Sequence, residues 1–292
     1  MIMKLFNRLS EGTSLVLILI LASTIGPYGH AQASGFWPNE PAGFKVLTDQ
    51  PFNSPTPNLP LWGSSGVTSI QTDATAPLSP SNVLQFHYPI GYAEGAAPGQ
   101  WWFSRYGATD ELFVGFWWKI NSGWQQSSPQ IGKIFYLQPS GGGSPNIFWG
   151  FTGADQPYGI TAQLQEGRGT NGVCNPNCGS HNFFQNVGNA NILSGSWYRI
   201  EIYVKMSTTK TSQDGVIKTW VNGAQVISYN NVNFDPSVGT FDSVVIVPVY
   251  GGTNGTKTQN DVMAFDHWHV SIPGGGSVDS VPPSPPAGLV VR

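Results

Sequence analysis

Runs of alternating hydrophobic and polar residues recur along the chain about every dozen residues, and clusters of Gly, Pro, Asn and Ser separate them. No stretch shows a sustained helical period. Asn222-Gly223 lies between two of the runs, which is a strong short-range signal for a β-hairpin. The pattern therefore predicts an all-β chain of many antiparallel strands, arranged as a sandwich or jelly roll. The clearest runs cover residues 67–72, 83–88, 112–120, 132–138, 146–153, 159–165, 197–205, 215–221, 224–229, 242–250 and 262–272.

Residues 112–120, LFVGFWWKI, are among the clearest of these runs. Successive side chains of a strand point to opposite faces, so Trp117 and Lys119 share a face with the gap at Gly115. An indole can stack on a sugar ring and a lysine can bind a carboxylate, so this face is suited to the floor of a groove. The alternative is that a loop or a third layer covers Trp117. The predicted core face is Leu112, Val114, Phe116, Trp118 and Ile120.

Residues 132–138, GKIFYLQ, form a second informative strand. We predict Tyr136, together with Gln130 just before the strand, as groove residues that bind substrate. Strict alternation gives two faces, which are Lys133, Phe135 and Leu137 on one side and Ile134, Tyr136 and Gln138 on the other.

Residues 100–107, QWWFSRYG, supply a further aromatic segment. Trp101 and Arg105 are predicted to lie on the rim of the groove, Trp101 as a substrate-binding residue. The alternative is that these aromatic residues pack in the core or along a sheet edge, as such segments often do.

The two ends of the chain differ from the rest. Lys4 and Arg8 precede an apolar run at residues 15–23, and residues 31–33 give a small-x-small cleavage pattern, which is the order of a secretory signal peptide. The apolar run is shorter than the ~20 residues that span a bilayer. We therefore expect a signal peptide at 1–33, a sandwich domain at 34–272, and a Gly/Ser/Pro-rich linker at 273–292. The protein is expected to be secreted, extracellular or periplasmic, without a membrane anchor.

The charge balance disfavours two classes of partner. The chain has 13 Lys and Arg and 16 Asp and Glu; setting aside Lys4, Arg8 and Glu11 leaves 11 and 15, a formal charge of −4. This balance gives no electrostatic attraction to nucleic acid or to an anionic membrane. We expect a monomer whose partner is a polysaccharide.

Cys174 and Cys178 are the only cysteines, in the segment GVCNPNCGS. An oxidising compartment favours a disulfide that closes and stiffens this short loop. The alternative is a pair of metal ligands, but two thiols alone make an incomplete site. Asn-Pro-Asn between them is typical of a turn, which favours the disulfide.

Several segments resemble the concanavalin A-like lectin/glucanase superfamily. SWYRIEIYVKMST, DGVIKTWVNGAQVISYNNVNF and FDHWHVS are similar to its back half, whereas ELFVGFWWKINSGW and IGKIFYL resemble secreted polysaccharide lyase-like jelly-roll proteins. The resemblance covers roughly residues 36–272. It implies a jelly-roll sandwich of two antiparallel sheets and a concave, aromatic-lined surface that binds polysaccharide.

His267 and His269 raise the question of a metal site. In MAFDHWHVSI, alternation places both imidazoles with Phe265 and Ser271, and such an H-x-H pair can bind zinc or copper. A third ligand would be needed, and only His87 and His181 remain after the signal peptide. The resemblance implies that this closing strand packs Trp268 and Val270 inward, with Asp266 and Ile272 on the same face. We favour a structural role, expect no cofactor, and keep a structural calcium ion near Asp266 as the alternative, since some relatives hold one.

The catalytic patterns of the superfamily match only in part. The laminarinase-type pattern E-x-D-x-x-E is absent, which argues against a retaining glycosidase. Of the jelly-roll alginate lyase patterns, Q-I/V-H leaves Gln130 and Ile131, but Gly132 and Lys133 follow where a His would stand. The other two are also incomplete, since Tyr203 and Lys205 lack the later Tyr and since Arg105 and Glu111 have a different spacing.

If the chain is a lyase, β-elimination on uronic-acid polymers requires a cation for the carboxylate and an acid/base pair. Arg105, Lys119 or Lys133 would supply the cation. Tyr136, His181 or Tyr250 would supply the acid/base function. The alternative is a non-catalytic lectin-like module for carbohydrate binding or adhesion.

Overall fold

The computed structural model describes nine stretches of the chain, namely residues 36–53, 61–63, 67–78, 82–103, 109–139, 146–165, 182–209, 211–232 and 240–274. Within them the secondary structure is all β. In this part of the chain no helix is long and apolar enough to cross a bilayer. The strands are β1 Phe44–Gln50, β2 Leu61–Gly63, β3 Thr68–Gln71, β4 Val83–Tyr88, β5 Gly99–Phe103, β6 Glu111–Ile120, β7 Ile131–Pro139, β8 Asn146–Thr152, β9 Gly159–Gln165, β10 Asn182–Phe183, β11 Tyr198–Lys205, β12 Gly215–Val221, β13 Ala224–Val232, β14 Phe241–Ile246 and β15 Asp261–Pro273.

The strands form two antiparallel sheets. The first sheet has the order β13-β12-β11-β6-β15-β4-β3, and β1 also pairs with β15. The second sheet has the order β10-β9-β8-β7-β14-β5-β2. In the described stretches, six of the thirteen neighbouring strand pairs are consecutive in sequence and the other seven are distant, as in a jelly roll. The predicted all-β sandwich of two antiparallel sheets is confirmed.

Aromatic side chains dominate the core between the sheets. Phe116 of the first sheet stacks on Trp268 with ring centroids 4.7 Å apart, and it meets Phe135 of the second sheet edge-on at 5.5 Å. Trp149 Nε1 donates a hydrogen bond of 3.0 Å to Thr219 Oγ1 across the core. Each buried ring contributes about 1.5–3 kcal/mol, and the indole hydrogen bond fixes how the sheets face each other.

Local patterns predicted several features correctly. Strand β6 buries Leu112, Val114, Phe116, Trp118 and Ile120 in the core, as its alternation indicates. The β12–β13 hairpin turns at Asn222 and Gly223, which have φ of 51° and 86° and so suit the left-handed conformation that this turn requires.

Strand β15 departs from strict alternation at His267. Its pairing with β6 shifts between Asp266 and Trp268, and His267 has a φ of 55°, so a β-bulge inserts one residue here. Phe265 and Trp268 both lie in the core as a result. Asp266 lies opposite Trp117 on the outer face, where its Oδ2 accepts a hydrogen bond from Leu78 N at 2.7 Å. The predicted placement of Phe265 outside and Asp266 inside was therefore wrong.

Some predictions fall on residues outside the described stretches. These are the signal peptide at 1–33, nearly all of the linker at 273–292, Arg105, His181, and the disulfide between Cys174 and Cys178. They stay predictions.

Candidate active site

The outer face of the first sheet does not form the predicted groove. The gap at Gly115 is filled by the ring of Trp37, since a Cβ built on Gly115 would lie 2.5 Å from that ring. Trp37 itself is only 3% exposed. Trp117, which neighbours this gap, is therefore beside a packed indole and not beside an open sugar site.

Lys119, on the same face, is held by the segment that follows β3. Its ammonium pairs with Asp73 and lies 3.2 Å from Thr75 Oγ1. It also lies 4.6 Å from the ring centroid of Trp197, whose Nε1 donates to Thr75 Oγ1 at 3.0 Å. Lys119 thus fastens a loop over the first sheet, and the structure separates it from Tyr136 on the second sheet.

The two imidazoles of β15 belong to a network under Trp37. Asp49 Oδ1 lies 2.6 Å from His267 Nε2 and 3.2 Å from His269 Nδ1, while His269 Nε2 lies 3.0 Å from Glu40 Oε1. The two nitrogens of His269 thus face different carboxylates and do not converge on one point. Across the described residues, no group of three or more His, Cys, Asp or Glu side chains could hold a metal ion.

Hydrogen bonds between the carboxylates and the imidazoles shift the pKa values of Asp49 and His269. Burial alone would raise the pKa of Asp49, but hydrogen bonds from His267 and His269 outweigh it and lower the pKa. Burial would likewise lower the pKa of His269, yet its bonds to Asp49 and Glu40 raise it. The network is a paired structural cluster that holds the N-terminal segment against the sheet.

Strand β7 of the second sheet also contains a bulge. Lys133 pairs with Gly150 and Phe135 with Trp149, so Ile134 is the extra residue, and it is buried in the core. Lys133 and Tyr136 therefore share the outer face, although strict alternation predicted them on opposite faces. This bulge brings together a cation and a phenol that the sequence pattern had separated.

The outer face around the bulge has a cationic and aromatic centre. Lys133 Nζ lies 4.9 Å from the ring centroid of Phe148 and 5.6 Å from that of Tyr136. The two rings lie 5.7 Å apart. Tyr136 is 8% exposed and Phe148 1%, whereas Lys133 is half-buried. The cation is therefore the accessible member of this group.

The pairing registers extend this centre into a row across the sheet. In order, the paired positions are Trp102, Val245, Tyr136, Phe148, Gln163 and Asn182. Gln138 lies next to this row and pairs with Ser243. Its Oε1 is buried without a hydrogen-bond partner in the described part of the chain. Buried unpaired acceptors are rare in folded proteins.

Two residues predicted for the site lie in the core instead. Trp101 is fully buried and packs on Phe52 at 4.7 Å, so its ring faces cannot stack on a sugar. Tyr250 is 1% exposed, and its hydroxyl donates to the carbonyl of Gln126 at 3.3 Å. Burial raises the pKa of Tyr250 to about 12. Both assignments are corrected, because a ring or hydroxyl enclosed by protein has no access to substrate.

The start of strand β7 explains why the Q-I/V-H pattern of the alginate lyases is interrupted in this chain. Gly132 faces the core, where a Cβ would lie 2.3 Å from the ring of Phe151, so no His side chain fits. Gln130, two residues before Gly132, is exposed and has a φ of 61°. It remains close in sequence to Lys133 at the end of the candidate site.

Phe148 and Gln163 were missed by the sequence analysis. Alternation in β8 places Phe148 on the face opposite Trp149, and this signal was available in the segment NIFWGFT. It was not decisive, because only the β7–β8 register shows that Phe148 lies against Tyr136.

Comparisons with known proteins agree with this fold. No curated protein matches the chain. Among solved structures, an endo-β-1,4-glucuronan lyase from the fungus Trichoderma reesei is similar with a TM-score of 0.55 and 15% identity, covering 78% of this chain and 96% of that one. The alginate lyase Aly36B is similar with a TM-score of 0.52 and 13% identity, covering 72% and 84%. At these identities the likeness shows a shared fold.

The family comparison adds a match to the sequence itself. A family described as polysaccharide lyase matches residues 99–266, which is more than half of the chain. The matched stretch includes β6, β7 and β8 and thus both Lys133 and Tyr136. This chain belongs to the polysaccharide lyase family.

Proposed function

We propose that the protein is a secreted polysaccharide lyase that cleaves uronic-acid polymers by β-elimination on the outer face of the second sheet. The observation that carries the proposal is the bulge at Ile134, which places the Lys133 ammonium beside the Tyr136 ring. The names of the two similar lyases, alginate lyase and glucuronan lyase, support a polyuronate as substrate. The order of basic, apolar and small residues at 1–33 supports export.

Each step of the reaction has a candidate group. Lys133 binds the uronate carboxylate and neutralises it, which acidifies the C5 proton. The ionised oxygen of Tyr136 accepts that proton, a double bond forms between C4 and C5, and the C4–O bond breaks toward the glycosidic oxygen. Tyr136 then donates the proton to this leaving oxygen, which regenerates the phenolate. No water is consumed.

Other groups complete the proposed site. Gln138 and Gln163 flank the aromatic centre and are half-buried, so their amides are suited to bind sugar hydroxyls. Arg105 as a second cation and His181 as a separate base stay in the proposal, and both lie outside the described residues.

The test is a matched pair of lysine variants. Purified protein is incubated with alginate, glucuronan and a neutral glucan, and ultraviolet absorbance reports unsaturated chain ends. We expect a rise with a polyuronate and none with the glucan. Lys133→Met should lower kcat/KM by about 10²- to 10³-fold, whereas Lys119→Met on the other sheet should keep it. Folded wild-type protein that gives a flat trace on every polyuronate overturns the lyase proposal.

A carbohydrate-binding module without turnover is the second candidate. It is favoured by the interrupted catalytic pattern, because Gly132 stands where the alginate lyase pattern has a His. Binding of polyuronate oligosaccharides in a titration, with no rise in absorbance, would select this function.

A further inference from the structure

We propose that Phe184 forms a distal subsite that binds the same polyuronate chain at the edge of the second sheet. The inference rests on the proposed function and adds a specificity-determining residue to it. Phe184 follows β10 directly and is 54% exposed, which is unusual for a large aromatic side chain in this protein.

The strand registers place Phe184 in line with Lys133. Lys133 pairs with Gly150, and Gly150 pairs with Thr161. Strand β10 pairs with β9 through Phe183 and Ala162, so one further residue in this register puts Phe184 opposite Thr161. Neighbouring strands are about 4.8 Å apart, so Phe184 lies about 14 Å from Lys133 across three strand spacings. This separation requires an oligosaccharide, because a single sugar cannot contact both residues.

The phenyl ring of Phe184 is directed away from the core. Phe183 is 1% exposed and belongs to the core, so the next residue of an extended chain points to the opposite face. The backbone is fixed by two bonds, in which Thr161 Oγ1 donates to Phe183 O at 3.3 Å and the Tyr229 hydroxyl donates to Phe184 O at 3.2 Å. An anchored backbone with an exposed ring is preorganised for stacking on the apolar face of a sugar.

The positions between Lys133 and Phe184 carry only small residues. Gly150 admits no side chain, because its Cβ would lie 2.5 Å from the carbonyl oxygen of Gly132. Thr161 is short and its hydroxyl is used in the hydrogen bond to Phe183. The two positions between the cation and the phenyl ring on this row therefore carry no bulky side chain of their own, and both are buried.

Charge favours an anionic sugar chain as the occupant. The outer-face positions described in β7 to β9 carry no carboxylate, and Lys133 is their one charged residue. Lys133 would thus attract a carboxylate at one end of a bound polyuronate, and Phe184 would stack on a sugar ring at the other end. The outer-face residues are Ile131, Lys133, Tyr136, Gln138, Phe148, Gly150, Thr152, Gly159, Thr161 and Gln163.

The experiment compares binding of uronate oligosaccharides of increasing length. Titrations are made in a Tyr136→Phe background, which prevents turnover, with and without Phe184→Ala. The added change should weaken binding of the longest chains by about 3- to 10-fold, the magnitude of one aromatic contact. The loss should grow with chain length, and Phe184→Trp should restore binding. Phe36→Ala removes another exposed phenyl, 45% exposed, at the N-terminal segment and should keep the affinity.

The outcomes separate the two proposals. A loss that is equal at every length, or no loss, overturns the subsite. A shift in sedimentation on Phe184→Ala without a change in sugar affinity would instead assign Phe184 to a contact between copies of the chain. The titration does not depend on turnover, so a failure of the lyase proposal appears in the ultraviolet assay alone.

Discussion

Lys257 Nζ lies 2.6 Å from Asp261 Oδ2, and both side chains are fully buried. The ammonium also lies 3.6 Å from the ring centroid of Trp124 and 4.0 Å from that of Tyr250. Tyr250 bridges to Gly132 through its backbone, next to Lys133. The buried pair therefore supports the loops from which strand β7 enters the candidate site.

Removing only the cation should destabilise the protein strongly. Lys257→Met leaves the buried Asp261 carboxylate unpaired and should lower the free energy of unfolding by about 3–5 kcal/mol. The double variant Lys257→Met/Asp261→Asn should recover most of this loss, because it removes both charges. Urea unfolding of the four proteins measures the coupling. Additive effects of the two substitutions would contradict a direct ion pair.

Lys257 should also make the stability of the protein depend on pH in the alkaline range. Burial lowers the pKa of Lys257 from 10.5 to about 8, although Asp261 opposes the shift. Between these two values the unfolded chain binds more protons than the folded one, so linkage from this group adds stability as pH rises. Wild-type stability relative to Lys257→Met should therefore increase from pH 8 to 10. Denaturant unfolding at several pH values measures this difference, and a decrease would contradict the assignment.

The histidine cluster should give stability in a mildly acidic window. The raised pKa of His269 contributes stability that is complete below its ordinary 6.5 and is lost as pH rises through the folded value. The lowered pKa values of Glu40 and Asp49 contribute stability above 4.5 and 3.8 that is lost as pH falls. His269→Gln should therefore cost most, about 1.5–3 kcal/mol, between about pH 4.5 and 6.5.

The groups that face His269 determine which histidine is a suitable control for the His269→Gln variant. They are Asp49, Glu40 and His267, with Trp37 and Phe113 as ring neighbours. His87, which is half-buried near Ser69 on the same sheet, has no carboxylate partner among the described residues. His87→Gln should not reproduce the window, and an equal pH dependence in both variants would count against the network.

Gly115→Ala should expel Trp37 from the outer face of the first sheet. The added methyl would lie 2.5 Å from the Trp37 ring, and overpacking of this kind costs about 1–3 kcal/mol. In a Trp37→Ala background the same substitution should cost much less, because the space is free. Thermal unfolding of this cycle measures the coupling, and an unchanged cost in both backgrounds would show that Trp37 does not fill the gap.

Tyr136→Phe tests the acid/base assignment. It keeps the ring beside Phe148 and removes only the hydroxyl, so the fold should be unchanged while kcat falls by about 10²- to 10⁴-fold. Tyr250→Phe is the matched control, because that hydroxyl lies in the core against Gln126. If both variants kept full activity, the proton transfer would have to be assigned to another group.

The bulges in β7 and β15 mark the limit of what alternation can predict. A period of two gave the strands and the core face of β6 correctly, because each residue there alternates without interruption. One extra residue at Ile134 or His267 reverses the faces beyond it, and neither side chain signals this in the sequence. Lys133 and Tyr136 were both predicted as site residues, but their shared face depends on the register with β8.

The sequence pattern also could not show which distant residues pack over a given face of a strand. Gly115 predicted a gap correctly, but the residue that fills it, Trp37, is far away in the chain. Trp101 and Tyr250 likewise carry the aromatic chemistry of a sugar site, and only their burial assigns them to the core. Residue type indicated the chemistry, whereas tertiary packing decided which rings substrate can reach.

The bulge in β7 also has an evolutionary consequence. Loss of the single codon for Ile134 would restore regular pairing and would leave Lys133 on the outer face, because Lys133 and Phe135 already pair with the consecutive residues Gly150 and Trp149. Evolution could thus delete this codon in frame without removing the cation from the surface that carries Phe148 and Tyr136.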